Sequence, residues 1–350
     1  MKRILFYLQF MQDMDWLLPV MEAYGRSDEF ELHVLIEEEL RSKAQTESLL
    51  KARVLHYRLP RESGVCLLER LTFHFLFTAS ESTARPHARA HELVCEANRR
   101  GVTTITIQHG YENIGLTYSD REYPIQNIRF ASSRILTWCS SSRFHPQLPV
   151  QTQHKLLPVR FFKRAPRCLQ NITFRQEVSS VALLIAENLH WKRYTHDLRR
   201  EFHKSVEALC VAFPELKIYL KPHPHQRWSS THLKAPLRRF LNLHWLEDDV
   251  LPQERLLGLL STPSTLIVDA VMKDMPVAVF HKQVSSAYES LPHLCDSAEV
   301  VAWVQKLIRG EEQTYFRSSA EAFKTNVLLE TSPVISLEEL PQRFGHFLVT

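Results

Sequence analysis

Glycine is scarce in this 350-residue chain, with eight residues in all, where usage of about 7% is ordinary. They stand at Gly25, Gly64, Gly101, Gly110, Gly115, Gly258, Gly310 and Gly345, and no two are spaced as G-x-G. The dinucleotide fingerprint and the Walker A loop both need clustered glycines to bring backbone against phosphate, so both are excluded. Any phosphate chemistry here must use another cradle. Cysteine is sparse too. Cys66, Cys95, Cys139, Cys168, Cys210 and Cys295 contain no C-x-x-C pair, which argues against a zinc ribbon or disulfide framework and fits a reducing compartment. No run approaches the ~18–20 apolar residues of a membrane span. Met1-Lys2-Arg3 followed by Ile4–Phe10 resembles a signal peptide only superficially. Its apolar run is short and Asp13 and Asp15 follow, so a first β-strand is the better reading. Excess charge of one sign is also missing: the net charge of +4 falls well short of a dedicated nucleic-acid protein.

What is present describes a folded globular protein. Hydrophobic residues make up 44% and charged residues 23%, and the length calls for two domains rather than one core. Short apolar runs alternate with amphipathic stretches, the signature of parallel α/β layers. Strands are expected at Ile4–Phe10, Leu32–Glu37, Val54–Leu59, Phe73–Ala79, Thr103–Gln108 and Ile135–Cys139, with a helix over Ala84–Arg100 stopped by Gly101. The basic, proline-marked stretch Arg160–Arg167 breaks the rhythm and reads as a solvated linker, with contact to anionic lipid as the alternative. The alternation resumes with Val181–Ala186, helix Thr195–Phe213, Lys217–Lys221, Leu241–Leu246, helix Ser264–Lys273 and Pro276–Phe280. Two α/β domains follow, residues 1–160 and 161–350, facing one another across a cleft.

Three segments put polar residues at the carboxyl end of an expected strand, where open α/β sheets bind ligands. In Gln108-His109-Gly110, the glycine is expected to let the backbone turn so that His109 projects from the sheet edge. A histidine there can accept a proton from an alcohol at neutral pH, with Glu112 or Asp120 orienting it or acting as base. A turn histidine bonding local backbone is the plainer alternative. In Lys221-Pro222-His223-Pro224-His225, two prolines fix the backbone around His223. Lys221, His223 and His225 form a donor group suited to phosphate, against the alternative of a basic surface turn. In Ser261-Thr262-Pro263-Ser264-Thr265, four hydroxyl residues lie at or before the start of an apolar helix whose first N–H groups favour an anion. Simple N-capping is compatible with the same residues. Glu187, just past Val181–Ala186, is a further candidate. Glu247-Asp248-Asp249 has the look of a metal site, but a solvated loop is the better reading, and no metal or other cofactor is expected.

In this order, the three segments resemble bacterial cell-surface polysaccharide transferases of GT-B architecture. Gln108-His109-Gly110 resembles the histidine–glycine turn of capsule-synthesis transferases and CDP-glycerol glycerophosphotransferases. Lys221-Pro222-His223-Pro224 resembles the histidine–proline motif shared with bacterial sialyltransferases, polysialyltransferases and Kdo transferases. Leu251-Pro252-Gln253-Glu254, then Ser261–Thr265 and Asp269-Ala270, resemble the proline–glutamate segment and serine motif. The resemblance spans roughly residues 70–285. It implies two Rossmann-like domains, an acceptor-side one followed by a nucleotide-donor one. It also implies donor-phosphate contacts from His223, Ser264 and Thr265, and His109 as base. The acidic pair followed by glycine that sialyltransferases of this type carry is missing, since Glu37-Glu38-Glu39 runs into Leu40.

The expectation is a metal-independent glycosyltransferase that moves a sugar from a CMP-linked donor of the Kdo or sialic acid type. Its acceptor would be a growing surface glycan or a lipid-linked precursor, in capsule or lipopolysaccharide biosynthesis. The catalytic candidates are His109, Glu112 and Glu187, and the donor-binding candidates Lys221, His223, Ser261, Ser264 and Thr265. The partners are the nucleotide-activated donor and the glycan or lipid-linked acceptor, with no nucleic acid. The location is cytoplasmic, with peripheral contact at the inner-membrane surface. Polyol-phosphate transfer from CDP-glycerol or CDP-ribitol, sugar-nucleotide 2-epimerisation, and a non-catalytic glycan- or anion-binding subunit are the alternatives.

Overall fold

A computed structural model of the chain describes residues 1–41, 50–51, 54, 58, 63–112, 114–164, 167–170, 181–189, 194–223, 237–246, 254–281, 286–328 and 339–340. The chain divides into two compact units, Met1–Arg164 with Leu328–Thr350, and Ala165–Val327. Sequence spacing had grouped all of 161–350 together, whereas Leu328 pairs with Cys139 of the first unit. A contact between residues that far apart has no local signature.

The first unit is a parallel sheet of β1 (Lys2–Leu8), β2 (Phe30–Ile36), β3 (Phe75–Thr78), β4 (Thr103–Ile107), β5 (Arg134–Thr137) and β6 (Leu156–Pro158). Its order is β2-β1-β3-β4-β5-β6. Ile4 through Leu8 of β1 are all buried, as expected of a parallel strand covered on both faces. Most of the expected strand Val54–Leu59 lies outside the described residues, but Arg58 bridges His33 of β2 in parallel at the sheet's outer side. Around the sheet lie α1 (Asp13–Tyr24), α2 (Gly64–Arg70) and α3 (Ala88–Arg99). Ser63 caps α2 by accepting from the Cys66 N–H. The expected helix Ala84–Arg100 opens instead as a 3-10 turn, Arg85–His87, because Pro86 takes its first positions. Gly101 follows at φ 73°, the left-handed stop that glycine adopts without strain. Leu5, Leu67, Leu76 and Val94 pack into one cluster between helices and sheet.

The second unit is built alike, from β7 (Val181–Ala186), β8 (Lys217–Lys221), β9 (Leu243–Trp245), β10 (Arg255–Ser261), β11 (Val277–Phe280) and β12 (His293–Leu294). Its order, β12-β11-β10-β7-β8-β9, is the doubly wound pattern in which the chain reverses direction beside its first strand. Helices α4 (His196–Ala212), α5 (Leu266–Val271), α6 (Ser297–Arg309) and α7 (Gln313–Val327) complete it. Phe202, Val206 and Leu209 of α4 meet Leu183, Ile218 and Phe280 in the core, each large side chain contributing about 1.5–3 kcal/mol by leaving water. Strand β10, expected from the sequence only as a run of unstated bounds ahead of the hydroxyl segment, shifts register between Leu256 and Leu259. Gly258 lies within that shift, and a Cβ there would come within 2.8 Å of the Pro276 carbonyl and 2.9 Å of Leu307. The strand is leucine-rich and broken by glycine, so it lacks the β-branched signature. Helix α5 is shorter than the expected Ser264–Lys273.

Candidate functional site

Register lines up the carboxyl ends of the second unit's strands. Lys221 pairs with Ala186, and Ala186 with Ser261, so the loops after β8, β7 and β10 begin side by side. The reversal of chain direction falls between β7 and β10, the place where such sheets bind ligands. Hydrogen bonds knit these loops together. The Asn188 N–H donates to Thr262 Oγ1 at 2.6 Å and its Nδ2 to the Pro263 carbonyl at 2.9 Å, while the Thr262 N–H donates to Ala186 O at 3.1 Å. Ser261 Oγ donates to the Thr262 carbonyl at 2.6 Å and lies 3.2 Å from Ser264 Oγ.

Glu187 is buried in this edge. One carboxylate oxygen accepts from the Leu189 N–H at 3.0 Å and the other from the His223 N–H at 3.3 Å, and its own N–H donates to Lys221 O at 3.1 Å. Burial raises its pKa above the ordinary value, although these main-chain donors and Arg199 pull it back. Glu187 therefore ties the end of β7 to the loop that carries His223. Lys221, His223, Ser264 and Thr265 are each half-buried along the same edge. Thr265 precedes α5 without making a side-chain cap bond to it. The structure thus brings Lys221, His223, Glu187, Ser261 and Ser264 to one row, and adds Asn188, which the sequence reading gave no role, bonded to Thr262 of the hydroxyl segment. Their place just past a strand end was the signal available. Pro224 and His225 lie outside the described residues.

The first unit has its own edge. Its reversal point lies between β1 and β3, and a buried bond spans it. Ser80 Oγ donates to Asp13 Oδ1 at 2.6 Å, while Asp13 Oδ2 accepts from the Gln9 and Phe10 N–H groups at 2.9 and 2.8 Å. Burial pushes the Asp13 carboxyl up to about 6 against those three bonds. His109 follows β4, part of its surface still exposed. Its imidazole bonds the main chain of Ala79, and desolvation holds it down at about 4. The ring it meets edge-on, centroids 5.1 Å apart, is His87. His87 Nδ1 lies 3.0 Å from Ser82 Oγ, and burial pulls this histidine down to about 3. His87 carried no sequence signal, being 22 positions away at a helix start.

Other expectations fare differently. Glu112 is half-buried in the loop beyond His109. Asp120 is engaged in a local turn, accepting from the Tyr123 N–H at 2.7 Å. Gly110 does not adopt positive φ. The left-handed glycine of this loop is Gly115, φ 84°, where a Cβ would collide with Ile128. Glu254 precedes β10, at the end of the strand opposite the candidate site. Burial acts against its charge, but bonds from Lys217 Nζ at 2.7 Å and Tyr219 OH at 2.6 Å hold it down at about 2. Residues 247–249 lie outside the described residues. Among the described residues, Cys295, Asp296 and Glu299 have metal-like spacing, but they form a helix start. Asp296 accepts from the Glu299 N–H at 2.9 Å, and Glu299 from the Cys295 N–H at 2.7 Å. Among the described residues no helix is long and apolar enough to cross a membrane.

No family model and no curated protein matches this sequence. Solved structures do match its fold. The UDP-GlcNAc 2-epimerase of Methanocaldococcus jannaschii, in complex with UDP-GlcNAc and UDP, has a TM-score of 0.59 at 8% identity, covering 92% of this chain and 99% of that one. Alr3699/HepE of Anabaena, in complex with UDP and glucose, has a TM-score of 0.58 at 12% identity, covering 99% of each chain. A glycosyltransferase of Rickettsia africae has a TM-score of 0.55 at 12% identity, covering 100% and 99%. The α/β fold with two Rossmann-like domains is thus that of the GT-B architecture.

Proposed function

We propose that this chain is a nucleotide-sugar-dependent glycosyltransferase whose donor binds at the carboxyl edge of the second unit. The observation that carries this reading is the row of donors from β8, β7 and β10, locked together by the Asn188–Thr262 and Glu187–His223 bonds. Loss of a nucleotide leaving group builds negative charge on phosphate oxygens. Lys221 and His223 supply cationic or N–H donors to that charge, and Ser261, Ser264 and Thr265 supply hydroxyls. Because both oxygens of Glu187 are taken by main-chain N–H groups, its role in this reading is to position His223 rather than to carry protons. His109 is the base. At about 4 its imidazole is neutral at physiological pH, and the bond to Ala79 leaves the other ring nitrogen to accept a proton from an acceptor hydroxyl. Glu112 is the alternative base.

Two of the solved structures of this fold carry UDP, which supports a UDP-linked sugar ahead of the CMP-linked donor expected from sequence. The acceptor in this reading is a glycan or a lipid-linked precursor. The presence of an epimerase among those structures favours, as second reading, inversion at the sugar without transfer.

The test is a panel of UDP-, dTDP-, CMP- and CDP-linked donors, with and without oligosaccharide acceptors, followed by phosphorus and proton NMR. Transfer releases nucleotide and creates a new glycosidic signal. Epimerisation changes the sugar couplings with no accumulating nucleotide. Binding without turnover indicates a non-catalytic subunit, and failure to bind any nucleotide overturns the proposal.

A further inference from the structure

The turn after β4 is held in an unusual way. Its three successive carbonyls each receive a side-chain donor: Trp138 Nε1 bonds Gln108 O at 2.6 Å, Trp16 Nε1 bonds His109 O at 2.8 Å, and Gln108 Nε2 bonds Gly110 O at 3.2 Å. Turn carbonyls are ordinarily satisfied by water or by main chain. Here two fully buried indoles do it. Trp16 comes from α1 and Trp138 from just beyond β5, so the turn is gripped from two sides. The indoles stack, with centroids 5.6 Å apart and planes within 16°. Phe161 packs edge-on against both, and Phe162 against Trp16. The two carbonyls taken by the indoles belong to the peptide planes before and after the His109 Cα. Peptide units are rigid, so fixing both planes fixes the backbone dihedrals of His109 and the direction of its Cβ.

We propose that Trp16 and Trp138 are positioning residues for His109, which hold its imidazole against the Ala79 main chain and the His87 ring. This rests on the reading of His109 as base. The indole N–H is the part that matters, and the ring stack keeps that N–H in place. Losing one such bond costs about tenfold in kcat, with KM for the donor within about twofold, since the clamp touches the base-bearing turn and not the donor edge.

The test replaces Trp16 or Trp138 in the full chain by 3-benzothienylalanine, which keeps the shape and stacking of indole without its N–H. Trp16→Phe is the genetically encoded companion. Trp303→Phe is the control, since Trp303 is buried in the second unit's core and its Nε1 has no hydrogen-bond partner among the described residues. Each variant is read by steady-state kinetics and by the ring-nitrogen NMR signals of selectively labelled histidine, assigned through His109→Gln. The expected result is a shifted or broadened His109 signal together with the fall in kcat for the two clamp variants, and neither for the control. An unmoved His109 signal overturns the proposal, whatever happens to kcat. Should His109→Gln retain full activity, the base reading fails instead, and the His109 signal in the clamp variants alone decides whether the indoles hold it.

Discussion

The two units share a plan and differ in what they present. Each is a parallel sheet reversing beside its first strand, and in each a hydrogen bond of 2.6 Å crosses that reversal, Ser80 to Asp13 in the first unit and Asn188 to Thr262, among others, in the second. Beyond that point they diverge. The first unit surrounds its edge with groups driven neutral by burial, His87 at about 3 and His109 at about 4. The second leaves Lys221, His223, Ser264 and Thr265 half-buried, the residues proposed as donors for an anion. One topology therefore decides where polar residues gather at the sheet edges, and desolvation decides which of them stay neutral.

Four substitutions press on this contrast. The largest effect is expected from His223→Ala, which removes a donor from the proposed anion-binding edge. We expect kcat/KM to fall by about 100-fold or more with the thermal midpoint nearly unchanged, and a large drop in the midpoint would mean that His223 is structural. Glu187→Gln is next. An amide offers one acceptor oxygen where the carboxylate offers two, so either the Leu189 or the His223 N–H loses its partner. Urea unfolding should show a loss of about 1–3 kcal/mol, and no loss would remove the bracing role.

The first unit answers to pH. His87 has its folded pKa depressed to about 3, so its stabilising contribution is complete above the ordinary value of about 6.5. It declines as pH falls from there toward the folded value, because the unfolded chain binds the proton first. At pH 5 that decline amounts to ~2 kcal/mol. His87→Gln should therefore flatten the loss of stability between pH 6.5 and 5, and an unaltered slope would show that the ring is hydrated. The smallest effect belongs to Glu254→Gln. Its stabilisation is present above the ordinary carboxylate range and lost as pH falls toward about 2. Its removal should cost about 1 kcal/mol at neutral pH and leave nucleotide affinity unaltered, since Glu254 lies at the opposite strand ends. A fall in affinity would return this segment to the donor site.

Particular residues show how far the sequence could be read. Val181–Ala186 and Lys217–Lys221 were legible to the residue, because a strand covered on both faces is a short apolar run bounded by polar turns. Strand β10 was not, since Gly258 and its leucines carry no strand preference. The short strands β6 and β12 are set by their neighbours rather than by their own residues. Among the candidate residues, His109 in the first unit and Glu187, Lys221, His223, Ser261 and Ser264 in the second were visible as polar residues at strand ends. His87, Asn188 and Thr262 matter through partners distant in sequence, and Trp16 and Trp138 read only as apolar bulk.

The scarcity of glycine, and with it the exclusion of glycine-rich phosphate loops, belongs to the sequence alone, as does the alternation that made the chain α/β. Such properties are local, so periodicity and composition carry them. Tertiary structure alone decided that Glu187 braces His223, that Glu254 stands at the far end of its strand, and that two indoles hold the turn bearing His109. Each of these depends on strand order and register, which bring residues tens of positions apart within hydrogen-bonding distance, and on burial, which sets their charge once they are there.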